Sequence, residues 1–140
     1  MKTLSRHLIA ELYGCPAERL DDVALAADAL RAAAAAIGAT VVGEAFHRYA
    51  PQGVSGTLLI AESHLSLHTW PEARYAALDI FTCGGLDPRP GVRAVEARLG
   101  ATGARWHEIL RGVPAELEAG APLVPEDVAL ITRLVPARDR

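Results

Sequence analysis

The chain has 140 residues, 51% of them hydrophobic, which suits one domain large enough to bury a real core. Its 14 basic and 17 acidic residues leave a formal net charge of -3, so it offers neither the basic footprint of a nucleic-acid binder nor a polybasic anchor for anionic lipid. No run reaches the roughly 18 to 20 apolar residues that a membrane helix needs, and polar Ser5, Arg6 and His7 stand where a signal-peptide core would lie, so a cytoplasmic location is expected.

The first element is a half-buried strand over Leu4–Gly14, with Leu8, Ala10 and Leu12 on one side and His7, Ile9, Glu11 and Tyr13 on the other. Cys15 follows at a loop beside Pro16. With only Cys83 as a second cysteine, no disulfide framework or Cys-x-x-Cys motif is available, and both read as free thiols. From Asp21 or Asp22 to Ile37 an alanine-rich run reads as a helix, with an aspartate cap, Val23, Leu30 and Ile37 at heptad spacing, and Gly38 as the stop. Asp21, Asp22 and Asp28 are capping groups and solvated charge.

Strands are expected over Thr40–Tyr49 and Gly56–Glu62, joined by the turn Pro51-Gln52-Gly53. Next, His64, Ser66, His68 and Trp70 alternate with Leu65, Leu67 and Thr69, so one face is core and the other is unusually polar. After Pro71-Glu72-Ala73, Ala76, Leu78 and Ile80 form the apolar side of another strand, with Tyr75, Asp79, Phe81 and Cys83 opposite. If those two strands pair, one face collects His68, Trp70, Phe81 and Cys83. A Gly/Pro-rich loop over Gly84–Gly91, a helix from Pro90 or Gly91 to Leu99 and a strand over Arg105–Val113 complete a β-α-β-β-β-β-α-β order.

Strands that mostly follow one another, with two helices at intervals, indicate an α+β two-layer domain over residues 1–113: an antiparallel sheet with its helices on one face. The other face carries Trp70, Tyr75 and Phe81, and a bare patch of that kind predicts a face-to-face homodimer. Residues 114–140 read as an extension with four prolines and one short helical pattern, Pro125–Leu134.

The chemistry lies between Gly53 and Gly84. Ser63 follows Glu62 directly at the end of an apolar strand, with His68 five residues on and Cys83 twenty residues on: a nucleophile, a base and an acid. The surrounding Ala61-Glu62-Ser63-His64-Leu65 is no Gly-x-Ser-x-Gly elbow, so an α/β-hydrolase is unsupported. His64 and His68, with His47, allow a metal-dependent hydrolase as an alternative, although their spacing completes no ligand motif. Cys83 is either a structural thiol or a reactive one, and Asp79 either a catalytic carboxylate or a hydrogen-bonded polar group.

The runs Phe46-His47-Arg48-Tyr49-Ala50-Pro51-Gln52-Gly53-Val54-Ser55-Gly56, Glu62-Ser63-His64-Leu65-Ser66-Leu67-His68-Thr69-Trp70-Pro71-Glu72 and Asp79-Ile80-Phe81-Thr82-Cys83-Gly84 resemble the prokaryotic S-adenosylmethionine decarboxylase proenzymes. His7-Leu8-Ile9-Ala10-Glu11-Leu12-Tyr13-Gly14-Cys15 supports the likeness, which is strong over residues 4–84 and fades through the second helix. The resemblance implies a self-processing lyase that cuts itself between Glu62 and Ser63, turning Ser63 into a pyruvoyl cofactor with no metal. By the same resemblance His68 is the base of processing, Ser55 assists it, and Cys83 returns a proton to the substrate carbon after decarboxylation.

For substrate, the resemblance implies S-adenosylmethionine, decarboxylated to an aminopropyl donor for spermidine and other polyamines. Glu72 would take the ribose hydroxyls, and Tyr49 would stack on adenine in place of the phenylalanine expected there, keeping the ring face. Glu11 and Trp70 are further pocket candidates. The loop after Cys83 and the residues beyond Val113 depart from the family pattern. Two other readings stay open: pyruvoyl-dependent decarboxylation of arginine on the same fold, and a non-catalytic regulatory homologue.

Overall fold

Alternation in the first strand decides which way the sheet faces. In β1 (Ser5–Tyr13) Leu8, Ala10 and Leu12 are fully buried, while His7, Ile9 and Glu11 lie half-buried on the opposite side. The structure, a computed structural model, describes residues 4–112 and 133–135. In chain order the elements after β1 are α1 (Ala17–Leu20), α2 (Val23–Ala36), β2 (Val41–Arg48), β3 (Val54–Ile60), β4 (Ser63–Trp70), β5 (Tyr75–Cys83), α3 (Arg89–Leu99), β6 (Gly103–Arg111) and β7 (Arg133–Val135). The strands form one sheet in the order β2-β3-β4-β5-β1-β6-β7, antiparallel at every pairing.

The helix α2 starts where Asp22 Oδ1 accepts the backbone N–H of Leu25 at 3.0 Å. Its buried residues, Ala26, Ala27, Ala29, Leu30, Ala33 and Ala34, are nearly all alanine, so the helix approaches the sheet and α3 closely. At Gly91 of α3 a Cβ would stand 2.8 Å from Ile80 Cδ1 and 3.1 Å from Ile37 Cγ2, so only a glycine fits between α2 and the sheet there. Between helices and sheet lie Leu8, Leu58, Leu65, Leu67, Leu78 and Ile80, all fully buried, each contributing about 1.5–3 kcal/mol by leaving water. Both helices sit on this face, as the α+β two-layer reading expects.

Several boundaries differ from the sequence expectation. The strand expected to run to Glu62 ends at Ile60, because Ala61 and Glu62 form the two-residue turn of a hairpin in which Ile60 pairs with Ser63. Ser63 therefore opens β4 rather than following a strand end. The short helix α1 was not expected; it is a single turn whose Leu20 is buried. The last long strand begins at Gly103 and ends at Arg111, two residues earlier at each end than expected. Of the helical pattern Pro125–Leu134, Arg133 and Leu134 belong instead to β7, paired to Leu110 and Ile109, and the rest lies outside the described residues. No described helix is long and apolar enough to cross a membrane.

Candidate active site

No described helix covers the second sheet face. Strand register fixes which side chains meet there: Cys83 lies opposite Ser5, Phe81 opposite both His7 and His64, and His68 opposite both Ala77 and Ser55. One step beyond the His64–Phe81 pair, Cys83 reaches the hairpin turn. Its Sγ donates to the carbonyl oxygen of Glu62 at 3.4 Å, on the peptide bond that joins Glu62 to Ser63. The hydroxyl oxygen of Ser63 is buried with no hydrogen-bond partner among the described residues. Such a hydroxyl costs roughly 1–3 kcal/mol of lost hydration, a cost kept where the group has chemistry to do.

A second group stands farther along the same face. Ser55 Oγ lies 2.7 Å from His68 Nδ1 on paired positions of β3 and β4. The ring of Trp70 is 6.5 Å from that of His68, and His47 packs edge-on to Tyr49 at 4.7 Å. Tyr49 and Trp70 are 48% and 42% exposed. Beside them, Glu72 accepts from Gln52 Nε2 at 3.1 Å. Glu11 accepts a short hydrogen bond from the Tyr75 hydroxyl, and Tyr75 stacks on Trp70 at 5.3 Å. Burial first, and the Glu11 carboxylate second, push the Tyr75 hydroxyl above its ordinary pKa, so it stays a protonated donor.

The two groups do not meet within one chain. Ser63 and His68 are both in β4, and five residues of strand span about 16 Å. The structure thus brings Cys83 to the Glu62–Ser63 peptide at one end of the face, with the Ser63 side chain on the same side of β4 as Leu65 and Leu67. Ser55 and His68 stand at the other, with Tyr49, Trp70, Glu72 and Glu11 nearby.

Between them lies a pair to which the sequence reading assigned no joint role. His7 Nε2 is 3.1 Å from Asp79 Oδ1, and that bond first of all holds the Asp79 carboxyl below its usual range. Asp79 is thus the hydrogen-bonded carboxylate that one of its two sequence readings described. His64 packs against Phe81 and edge-on to His7, with ring centroids 5.5 and 6.3 Å away. Burial, then the charges of His7 and Arg111, lower the His64 pKa. The metal alternative loses its geometry here: His64 and His68 are four strand residues apart, about 13 Å, and do not converge.

The family is settled by comparison with known proteins. The description "S-adenosylmethionine decarboxylase" belongs to the family model that matches residues 6–112. The chain belongs to this family. Among its relatives, the S-adenosylmethionine decarboxylase proenzyme of Caldanaerobacter subterraneus subsp. tengcongensis is 49% identical over 114 residues, spanning 81% of this chain and 92% of that one. The crystal structure of the adenosylmethionine decarboxylase from Aquifex aeolicus superposes with a TM-score of 0.74 at 31% identity, over 81% of this chain and 94% of that one. The Trypanosoma brucei decarboxylase monomer shares the fold at 14% identity, with a TM-score of 0.57, and there 88% of this chain covers 54% of the other.

Proposed function

We propose that this chain is the proenzyme of a pyruvoyl-dependent S-adenosylmethionine decarboxylase that cuts itself between Glu62 and Ser63. The observation that carries the reading is the unpartnered Ser63 hydroxyl beside a carbonyl held by the Cys83 thiol. Ser63 Oγ attacks the Glu62 carbonyl carbon, and the amide becomes an ester. Removal of the Ser63 Cα proton then expels the Glu62 carboxylate. The remaining N-terminal enamine takes up water and loses ammonia, which leaves a 62-residue piece ending in Glu62 and a 78-residue piece that begins with the pyruvoyl group. A donor on the carbonyl oxygen, as Cys83 is, stabilises the charge that develops there during attack.

The pyruvoyl ketone supplies an electron sink for loss of carbon dioxide from an amino acid. Around it the chain's own residues divide the work. Cys83 delivers a proton to the substrate carbon, His68 removes the Ser63 Cα proton during processing, and Ser55 assists the ester rearrangement as a hydrogen-bond donor to the developing oxyanion. Tyr49 and Trp70 offer partly exposed rings to a cationic adenosine, and Glu72 offers a carboxylate to the ribose hydroxyls. Glu11 aligns Tyr75 behind Trp70. The product is the aminopropyl donor used for spermidine.

His68 is too far along β4 to reach the Ser63 of its own chain, and this separation favours a homodimer. Two copies packed open face to open face would bring Ser55 and His68 of one to Ser63 and Cys83 of the other. Exposed Tyr13, Leu59 and Trp70 on that face support such burial.

Intact mass tests the processing: two chains, one carrying a hydroxylamine-sensitive carbonyl, are expected, and a single intact chain with no carbonyl would point to a non-catalytic homologue. Incubating the cut protein with S-adenosylmethionine and with arginine tests the substrate. Carbon dioxide release from arginine alone overturns the choice.

A further inference from the structure

Decarboxylation leaves one proton on the substrate carbon for each carbon dioxide lost, so a thiol that delivers it ends each turnover as a thiolate. Something must recharge it. Two histidines stand diagonally from Cys83, His7 across β1 and His64 across β4, because both pair directly with Phe81 two residues earlier. Diagonal positions on one sheet face lie roughly 7–8 Å apart, within reach of a ring side chain, and one water can close a remaining gap between the polar atoms.

The two rings differ in their surroundings. His7 faces Asp79, Phe81 and Cys83 from β5, His64 from β4, and Ile109 with Arg111 from β6. Its Nε2 is committed to the Asp79 carboxylate, which fixes the ring's orientation and leaves Nδ1 as the nitrogen free to exchange a proton. His64 has no such carboxylate bond, and burial first, then the charges of His7 and Arg111, lower its pKa. Arg111 itself lies over the Phe81 ring at 4.9 Å.

We propose that His7, held by Asp79, is the residue that returns a proton to Cys83 after each turnover. The imidazolium gives its Nδ1 proton to the Cys83 thiolate, directly or through one water, and the neutral ring regains a proton from solvent. Each cycle thus takes up one solvent proton, the one that ends on the product carbon. His7 acts through Cys83 and is a positioning residue for the reaction. The inference rests on the reading of Cys83 as proton donor.

The test has two arms. In the processed protein, His7→Ala should still be cut into two chains and keep its substrate KM within about threefold. Its kcat should fall by about 10- to 100-fold, with restoration by added imidazole in proportion to its concentration. Asp79→Asn, close in shape, should lower kcat in the same direction and shift the pH profile. In an uncut Ser63→Ala background, Cys83 is the thiol open to a small alkylating agent because Cys15 is fully buried. The dependence of its alkylation rate on pH should differ between this protein and the same protein carrying His7→Ala.

A His7→Ala enzyme with the wild-type kcat and pH profile overturns the inference, and so does a lost kcat that imidazole does not restore. If His7→Ala fails to fold, an unchanged alkylation profile and unchanged kcat in Asp79→Asn overturn it equally. Failure of the underlying reading looks different: wild-type protein that is never cut, or a Cys83→Ala enzyme that turns over normally.

Discussion

The thiol of Cys83 donates to the carbonyl oxygen of Glu62 at 3.4 Å, while the hydroxyl of the next residue, Ser63, is buried with no hydrogen-bond partner among the described residues. A donor on the oxygen and an unengaged nucleophile beside the carbon are the two parts of an acyl transfer. Both sit in a two-residue hairpin turn, where the backbone can change course without unzipping a long ladder.

Ser63→Ala is therefore expected to remain a single chain of 140 residues by intact mass. It should also fold at least as stably as the uncut parent. The substitution removes an unsatisfied hydroxyl, which is worth about 1 kcal/mol in the favourable direction. Two chains in the Ser63→Ala protein would sink the processing assignment.

If the site is shared between copies, two dead variants should repair each other. In a Ser63→Ala with His68→Ala heterodimer, one site pairs the intact His68 of the first chain with the intact Ser63 of the second. The other site lacks both. Co-expressed in equal amounts with random pairing, about half of the His68→Ala chains should be cut, against few when that variant is expressed alone. Mass spectrometry separates the two chains, and no gain in cutting on mixing means that each site is built within one copy.

Much of this was legible in the residues. Alternation in 64–70 and 76–83 named both faces of β4 and β5 correctly, because a strand with one face on a core has no freedom to slip by one residue. Ser55 and His68 were each singled out, and β3–β4 pairing puts them in contact. What the pattern did not hold was distance along the face. Nothing in a contiguous Glu-Ser-His with a His five residues on warns that a strand stretches those five residues to about 16 Å. The His7–Asp79 bond joins positions 72 apart, and only the pairing of β1 with β5 creates it. The turn at Ala61–Glu62 was missed because no Gly, Asn or Asp marks it.

Beneath the reactive face, Glu108 is 6% exposed and accepts from Arg6 Nε; Arg6 also lies 3.6 Å from Asp87, which ties the loop after Cys83 to β1 and β6. Glu108→Leu leaves the Arg6 guanidinium partly buried with only the longer contact. A loss of about 3 kcal/mol in chemical denaturation is expected, since breaking a buried pair from one side strands a charge. Replacing both, with Arg6→Met and Glu108→Leu, should recover most of that loss. An unchanged midpoint in the single variant would show the pair to be energetically idle.

His64 makes stability depend on pH in a definite direction. Its folded pKa lies below the unfolded value of about 6.5, with burial as the first cause and the charges of His7 and Arg111 after it. Between the two values the unfolded chain binds the proton more readily than the folded one, so stability rises with pH across that window. The contribution is fully present above about pH 6.5, shrinks as pH falls through that value, and is lost below the folded pKa. Asp79 works in the same sense at lower pH, because its folded pKa is also depressed, first by the His7 bond, and its stabilisation disappears as the solution becomes acid enough to protonate it. The two windows can be told apart by melting the Ser63→Ala protein, which stays uncut, from pH 8 down to pH 4 in small steps. Adding His64→Gln should flatten the fall in Tm that begins near pH 6.5 and leave the later, carboxylate-dependent fall in place. An unchanged slope near pH 6.5 in that double variant would remove His64 as its cause.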